Sequence, residues 1–148
     1  MIRLCLKAMP VLVSMLVIWT VAVPAQVDQG KIDKMLVESY DLLEAGKLDQ
    51  AKAIFQEILR LDPGNPLALN NLGALMVKEK KYREALGYLE QALPRAQGRR
   101  MRVNRVCDAE GICMAFRPSM EVYGDTPFAP LVRLNIAMVK GKLAAEKK

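Results

Sequence analysis

Residues 66–93 read PLALNNLGALMVKEKKYREALGYLEQAL, and the placing of small and large side chains in this stretch decides the fold. Leu69, Leu72, Gly73, Met76 and Val77 define one helix, opened by Pro66, whose missing N–H costs nothing at a first helical position. Ala85, Leu86, Leu89 and Ala92 fall on the inward face of a second helix that starts at Tyr82. The same arrangement stands 34 residues earlier, where Ser39 precedes Gly73, Leu48 precedes Tyr82, Ala51 precedes Ala85 and Phe55 precedes Leu89. A fixed period of this length marks stacked helix–turn–helix units, none of which can bury its apolar face alone.

Working upstream, Ile32, Met35, Leu36, Leu42 and Leu43 form the first helix of the earlier unit. Gly46 and Lys47 break it, and Ala51, Ile54, Phe55, Ile58 and Leu59 carry its partner. Asp62-Pro63-Gly64-Asn65-Pro66 then ends that partner, since proline and glycine punctuate helices strongly. With Asn71-Leu72-Gly73, Tyr82-Arg83-Glu84-Ala85-Leu86 and Leu89-Glu90-Gln91-Ala92-Leu93, the chain resembles the tetratricopeptide repeat family over residues 31–95. Met35, where that family often has an aromatic, and Ile58, where it usually has alanine, depart from the pattern. Packing explains the rest: Ser39, Ala51, Gly73, Ala85 and Ala92 let helices approach, while Phe55 and Leu89 fill the space between them.

Downstream, Pro130-Leu131 and Asn135-Ile136-Ala137 echo Pro66-Leu67 and Asn71-Leu72-Gly73 at a distance of 64 residues, so about 30 residues interrupt the period. The chain ends too soon for a full partner, so a C-terminal capping helix over residues 130–146 is expected, as repeat arrays require. The fold class is therefore mainly α: a tetratricopeptide-like helix–turn–helix array of two units (residues 32–65 and 66–96) plus the capping helix, with an inserted β-hairpin in residues 97–129.

Within the insertion, residues 101–106 and 112–116 are rich in strand formers and flank Asp108-Ala109-Glu110-Gly111. A three-residue loop ending on Gly111 in the left-handed region closes a type I turn with a bulge. That register sets Cys107 opposite Cys113, and their disulfide closes a loop of seven residues, contributing roughly 2 kcal/mol. Strand alternation puts Val106, Ile112, Met114 and Phe116 on a face packed against the helices, and Val103, Arg105, Ala115, Arg117 and the cysteines on the other. Beyond Pro118 an ordered loop is expected, with Tyr123 and Phe128 tucked onto helices and Thr126 near the start of the last one.

The resemblance also implies a concave groove lined by the first helix of each unit. Its positions here are Asp33, Leu36, Tyr40, Leu43 and Glu44, then Leu67, Asn70, Ala74, Val77 and Lys78. The family's carboxylate clamp needs lysine and asparagine where this chain has Leu36 and Tyr40, and only Asn71 fits it. An apolar groove of Leu36, Tyr40, Leu43, Asn70, Ala74, Val77 and Lys78 instead suits an amphipathic helix or an extended apolar peptide. Equally, the hairpin or last helix can fold across it.

Composition bounds the rest. Arg3 and Lys7, an uncharged apolar run over residues 8–23, and Pro24 and Ala25 read as a signal peptide cleaved after residue 25, which leaves one domain over residues 26–148. An uncleaved membrane anchor is the alternative, though the run is slightly short for a span. Cleavage lowers the net charge from +6 to +4 and leaves only Cys107 and Cys113, which suits an oxidising, periplasmic or extracellular compartment. The chain has no histidine, the commonest general base and metal ligand, and it shows no glycine-rich phosphate loop. No catalytic residue, cofactor or metal is expected.

The expected function is a non-enzymatic scaffold or adaptor in the cell envelope, holding a protein partner through the apolar groove. One alternative is an anion- or cell-wall-polymer-binding module using Arg99, Arg100, Arg102, Arg105 and Arg117, whose guanidinium groups suit carboxylate or phosphate. Interleaved aromatics are sparse, which disfavours nucleic acid. A weaker alternative is a thiol–disulfide redox protein, but five residues separate the cysteines and nothing beside them stabilises a thiolate. Two units leave exposed ends that can stack, so a homo-oligomer is open.

Overall fold

A run without any charged residue from Pro66 to Val77 does not read as a surface helix, because it lacks a charged face. In the computed structural model this run is α3 (Pro66–Lys78), and every residue from Pro66 to Val77 is buried. The described residues are 27–97, 100–101, 103–107, 111–118 and 126–146. The N-terminal leader expected over residues 1–25 lies outside them.

Around α3 the array assembles as α1 (Gln29–Glu44), α2 (Leu48–Leu61), α4 (Tyr82–Ala96) and α5 (Ala129–Ala145). Packing joins α1 to α2, α2 to α3, α3 to α4 and α4 to α5, the order expected of stacked helical hairpins. Asp28 caps α1 by accepting from the Lys31 N–H, and Asn65 caps α3 by accepting from the Ala68 N–H, each at 3.1 Å. Both satisfy a first-turn donor that the helix itself leaves without a partner.

The repeated small residues do what the pattern requires. A Cβ placed on Gly73 would lie 2.7 Å from Leu89 Cγ and 3.2 Å from the Ala85 carbonyl oxygen. Glycine at this position is what allows α3 and α4 to meet with Leu89 wedged between them. Ala51, Phe55, Ala85, Leu89 and Ala92 are fully buried.

Helix limits differ slightly from expectation. α4 continues through Pro94 to Ala96; a proline so near the end removes one hydrogen bond from a turn that is finishing anyway. α5 begins at Ala129, and its N-cap is Phe128, not Thr126. Phe128 is buried as expected, while Tyr123 lies outside the described residues.

The insertion contains two short ladders. β2 (Val103–Cys107) pairs antiparallel with β3 (Cys113–Pro118), setting Cys107 opposite Cys113, Val106 opposite Met114 and Arg105 opposite Ala115. Gly111 has φ +83°, the left-handed turn geometry expected of it. The register shifts between Val103 and Asn104, so Val103 faces Pro118 and Arg117 is the extra residue of a bulge. The second ladder was not expected: β1 (Arg100–Met101) pairs with β4 (Thr126–Pro127), with Arg100 opposite Pro127. The single strand expected over residues 101–106 is thus split between two ladders.

Candidate functional site

The groove expected along α1 and α3 is not open. β3 lies across it, packed against both α1 and α3. Of the expected groove residues, Leu36, Asn70, Ala74 and Val77 are buried, Tyr40 and Leu43 are half-buried, and Lys78 is exposed. Only the rim of the expected groove therefore faces solvent. The sequence leaves open whether a partner or the chain's own hairpin or last helix covers these positions, and here β3 packs on α1 and α3.

The hold on this strand is made of backbone and asparagine. Asn135 on α5 accepts from the Cys113 N–H through Oδ1 at 2.9 Å and donates through Nδ2 to the Cys113 carbonyl at 2.7 Å. The same Nδ2 donates to Asn70 Oδ1 at 2.9 Å. Asn70 Nδ2 in turn donates to the Cys113 carbonyl at 3.1 Å and to Asn71 Oδ1 at 3.2 Å. Asn70, Asn71 and Asn135 are fully buried. Both hydrogens of the Asn135 amide and both lone pairs of the Cys113 carbonyl are used, so the network satisfies buried groups that would otherwise be costly.

This geometry fixes the cysteine pair. With its N–H and C=O both directed at asparagines, Cys113 cannot also bond to β2 through them. Cys107 and Cys113 therefore form a narrow, non-hydrogen-bonded pair, with Cα atoms 4.0 Å apart and sulfurs 2.02 Å apart. The expected division into a packed face and a cysteine face needs correction here. Ile112 and Met114 are buried, but so is Cys113, while Cys107 is exposed. Burial follows the asparagine clamp on Cys113, since residues 112, 113 and 114 are all buried.

The arginine cluster is placed only in part. Arg99 and Arg102 lie outside the described residues, and Arg100, Arg105 and Arg117 are described only as backbone positions in β1, β2 and β3. The residue that sequence reasoning missed is Asn135. Its echo of Asn71 was visible, but its partner is a peptide group, and no side-chain motif records that.

At the turns joining paired helices, a cleft of about 640 Å³ is lined by Lys47, Leu48, Lys52, Glu79 and Lys81. Glu79 bridges Lys52 at 2.7 Å and Lys81 at 2.6 Å. Hydrogen bonds from Lys52 and then Lys81 hold its carboxyl below the usual carboxylate range. A depressed carboxyl contributes stability above its unfolded value and loses it as pH falls through the folded one. Glu79→Gln should thus be slightly less stable than the parent at neutral pH, and the difference should vanish in acid. Urea midpoints measured across pH 3–7 check this.

Among the described residues, no group of three or more His, Cys, Asp or Glu could hold a metal ion, and no helix is long and apolar enough to cross a membrane. What the arrangement can do is hold an extended segment by its backbone. A family model described as tetratricopeptide repeat matches residues 42–104, a stretch that contains α2, α3 and α4. No curated protein and no solved structure matches the chain.

Proposed function

We propose that this chain, which is a tetratricopeptide repeat protein, is an exported, non-enzymatic adaptor that holds an extended segment of a protein partner across its concave face. Repeats of this family generally mediate protein–protein contact. The observation that carries the finer reading is the pairing of Asn135 with the N–H and C=O of one residue, Cys113. A helix has already used those groups internally and cannot offer them, whereas an extended strand leaves them free on one edge. An extended segment therefore fits this face better than an amphipathic helix. The backbone contact accepts any side chain at the gripped position, and the neighbours of that position carry the preference, as Ile112 and Met114 do on either side of Cys113.

Export rests on the leader-like sequence of residues 1–25 and on the two cysteines left after its removal. The test is photo-crosslinking from the groove rim, at Tyr40 and Lys78, in the native envelope. A partner captured from the rim in high salt supports the reading. Capture only from Arg105 or Arg117, abolished by salt, would replace it with anion binding through the hairpin.

A further inference from the structure

We infer that β3 is an occupant the chain supplies to its own groove, and that the Cys107–Cys113 disulfide sets how readily a partner strand takes its place. This rests on the reading of the concave face given above.

Both cysteines belong to the insertion, so the disulfide ties β3 to β2 and not to the helices. Among the described residues, the hydrogen bonds of Asn70 and Asn135 to β3 go to the backbone of Cys113. Any extended segment presents the same groups. An emptied groove would strand the buried amides of Asn70 and Asn135, so loss of β3 without a replacement is disfavoured. Exchange of one strand for another is the economical route.

The disulfide opposes that exchange by keeping β3 extended on β2. Where β3 leaves both the helices and β2, opening the seven-residue loop raises the population of that displaced, unpaired strand by up to about 30-fold. A competing strand gains apparent affinity in proportion to that population. The two sulfurs differ in access, since Cys107 is exposed and Cys113 is 2 % exposed. A dithiol reductant therefore attacks Cys107 Sγ through its thiolate. The S–S bond breaks, the electron pair passes to Cys113 Sγ, and that sulfur takes a proton. It lies 3.5 Å from the Gly111 carbonyl oxygen, which can accept from the new thiol. The second thiol of the reductant then resolves the mixed disulfide, leaving Cys107 as a thiol and the reductant as a disulfide, with two electrons transferred.

The test uses the full chain and a labelled peptide of residues 111–118 carrying Cys113→Ser, titrated by fluorescence anisotropy. The chain reduced with dithiothreitol, and separately the Cys107→Ser/Cys113→Ser chain, should bind it with a Kd about 10- to 30-fold lower than the oxidised chain. Hydrogen exchange over residues 112–114 should accelerate on reduction. Equal affinity in both redox states, or no binding to the reduced chain, would overturn the exchange. Adding Asn135→Leu to the double-serine chain separates this proposal from the reading beneath it. Redox-dependent binding that ignores Asn135 sinks the concave-face reading. Asn135-dependent binding indifferent to reduction sinks only the switch. Helical circular dichroism checks that the variant is folded at the assay temperature, and Asn70→Ala provides the same comparison on another helix.

Discussion

Asn135→Leu should lower the free energy of unfolding by about 3–4 kcal/mol, a large effect for a substitution that barely changes volume. Leucine leaves the Cys113 N–H without an acceptor, removes one donor from its carbonyl, and strips the donor from Asn70 Oδ1. Each buried group so deprived costs about 1–3 kcal/mol, and the added apolar burial offsets only about 1 kcal/mol. The loss should appear as a shifted denaturation midpoint with little change in slope, accompanied by fast exchange of the Cys113 amide. A shift below about 1 kcal/mol would mean that water replaces the amide, and the clamp would not be what holds β3.

Phe55→Ala should cost about as much or more, roughly 3–5 kcal/mol, but for a different reason and with a different signature. Phe55 is fully buried in the core with Ile32, Ala51, Ile58 and Leu72. Removing its ring leaves a void that backbones already held close cannot collapse to fill. Against a total of about 5–15 kcal/mol for a small domain, helicity itself should fall at physiological temperature. Leu48→Ala serves as the control, because Leu48 belongs to the same 34-residue pattern yet is 41 % exposed. It should change stability by less than about 0.5 kcal/mol. A small effect of Phe55→Ala, measured by thermal and urea unfolding, would mean that the first unit contributes little to the cooperative core.

These two substitutions mark what the sequence makes legible and what it hides. Phe55 could be found because helix packing imposes a period, and a large residue must recur wherever small ones let helices close. Gly73 and Ala85 are legible for the same reason, and Gly111 because a left-handed turn position leaves few residue choices. The cysteine register followed from that turn. Asn135 was hidden because its role is to satisfy a peptide group in β3, and peptide groups look alike in every sequence. Whether the groove is open or filled stays undecided in the sequence for a related reason. Leu36, Ala74 and Val77 need an apolar cover, and their side chains are the same whether a partner or the chain's own strand provides it. The β1–β4 ladder, two residues on each side, is too short for alternation to announce it.

That ladder has a consequence for how such a chain can diversify. With Arg100 opposite Pro127, the backbone departs after α4 and returns before α5 through a single doorway. Apart from the strand held by Asn70 and Asn135, what lies beyond the doorway can grow, shrink or be replaced at an entropic cost that rises only slowly with length, and the spacing of the two helices need not change. The insertion is in this sense a cassette. A lineage, or an engineer, could exchange the segment between Met101 and Thr126 for another that returns an extended strand to Asn70 and Asn135, and so alter what the scaffold recognises while keeping its helical frame.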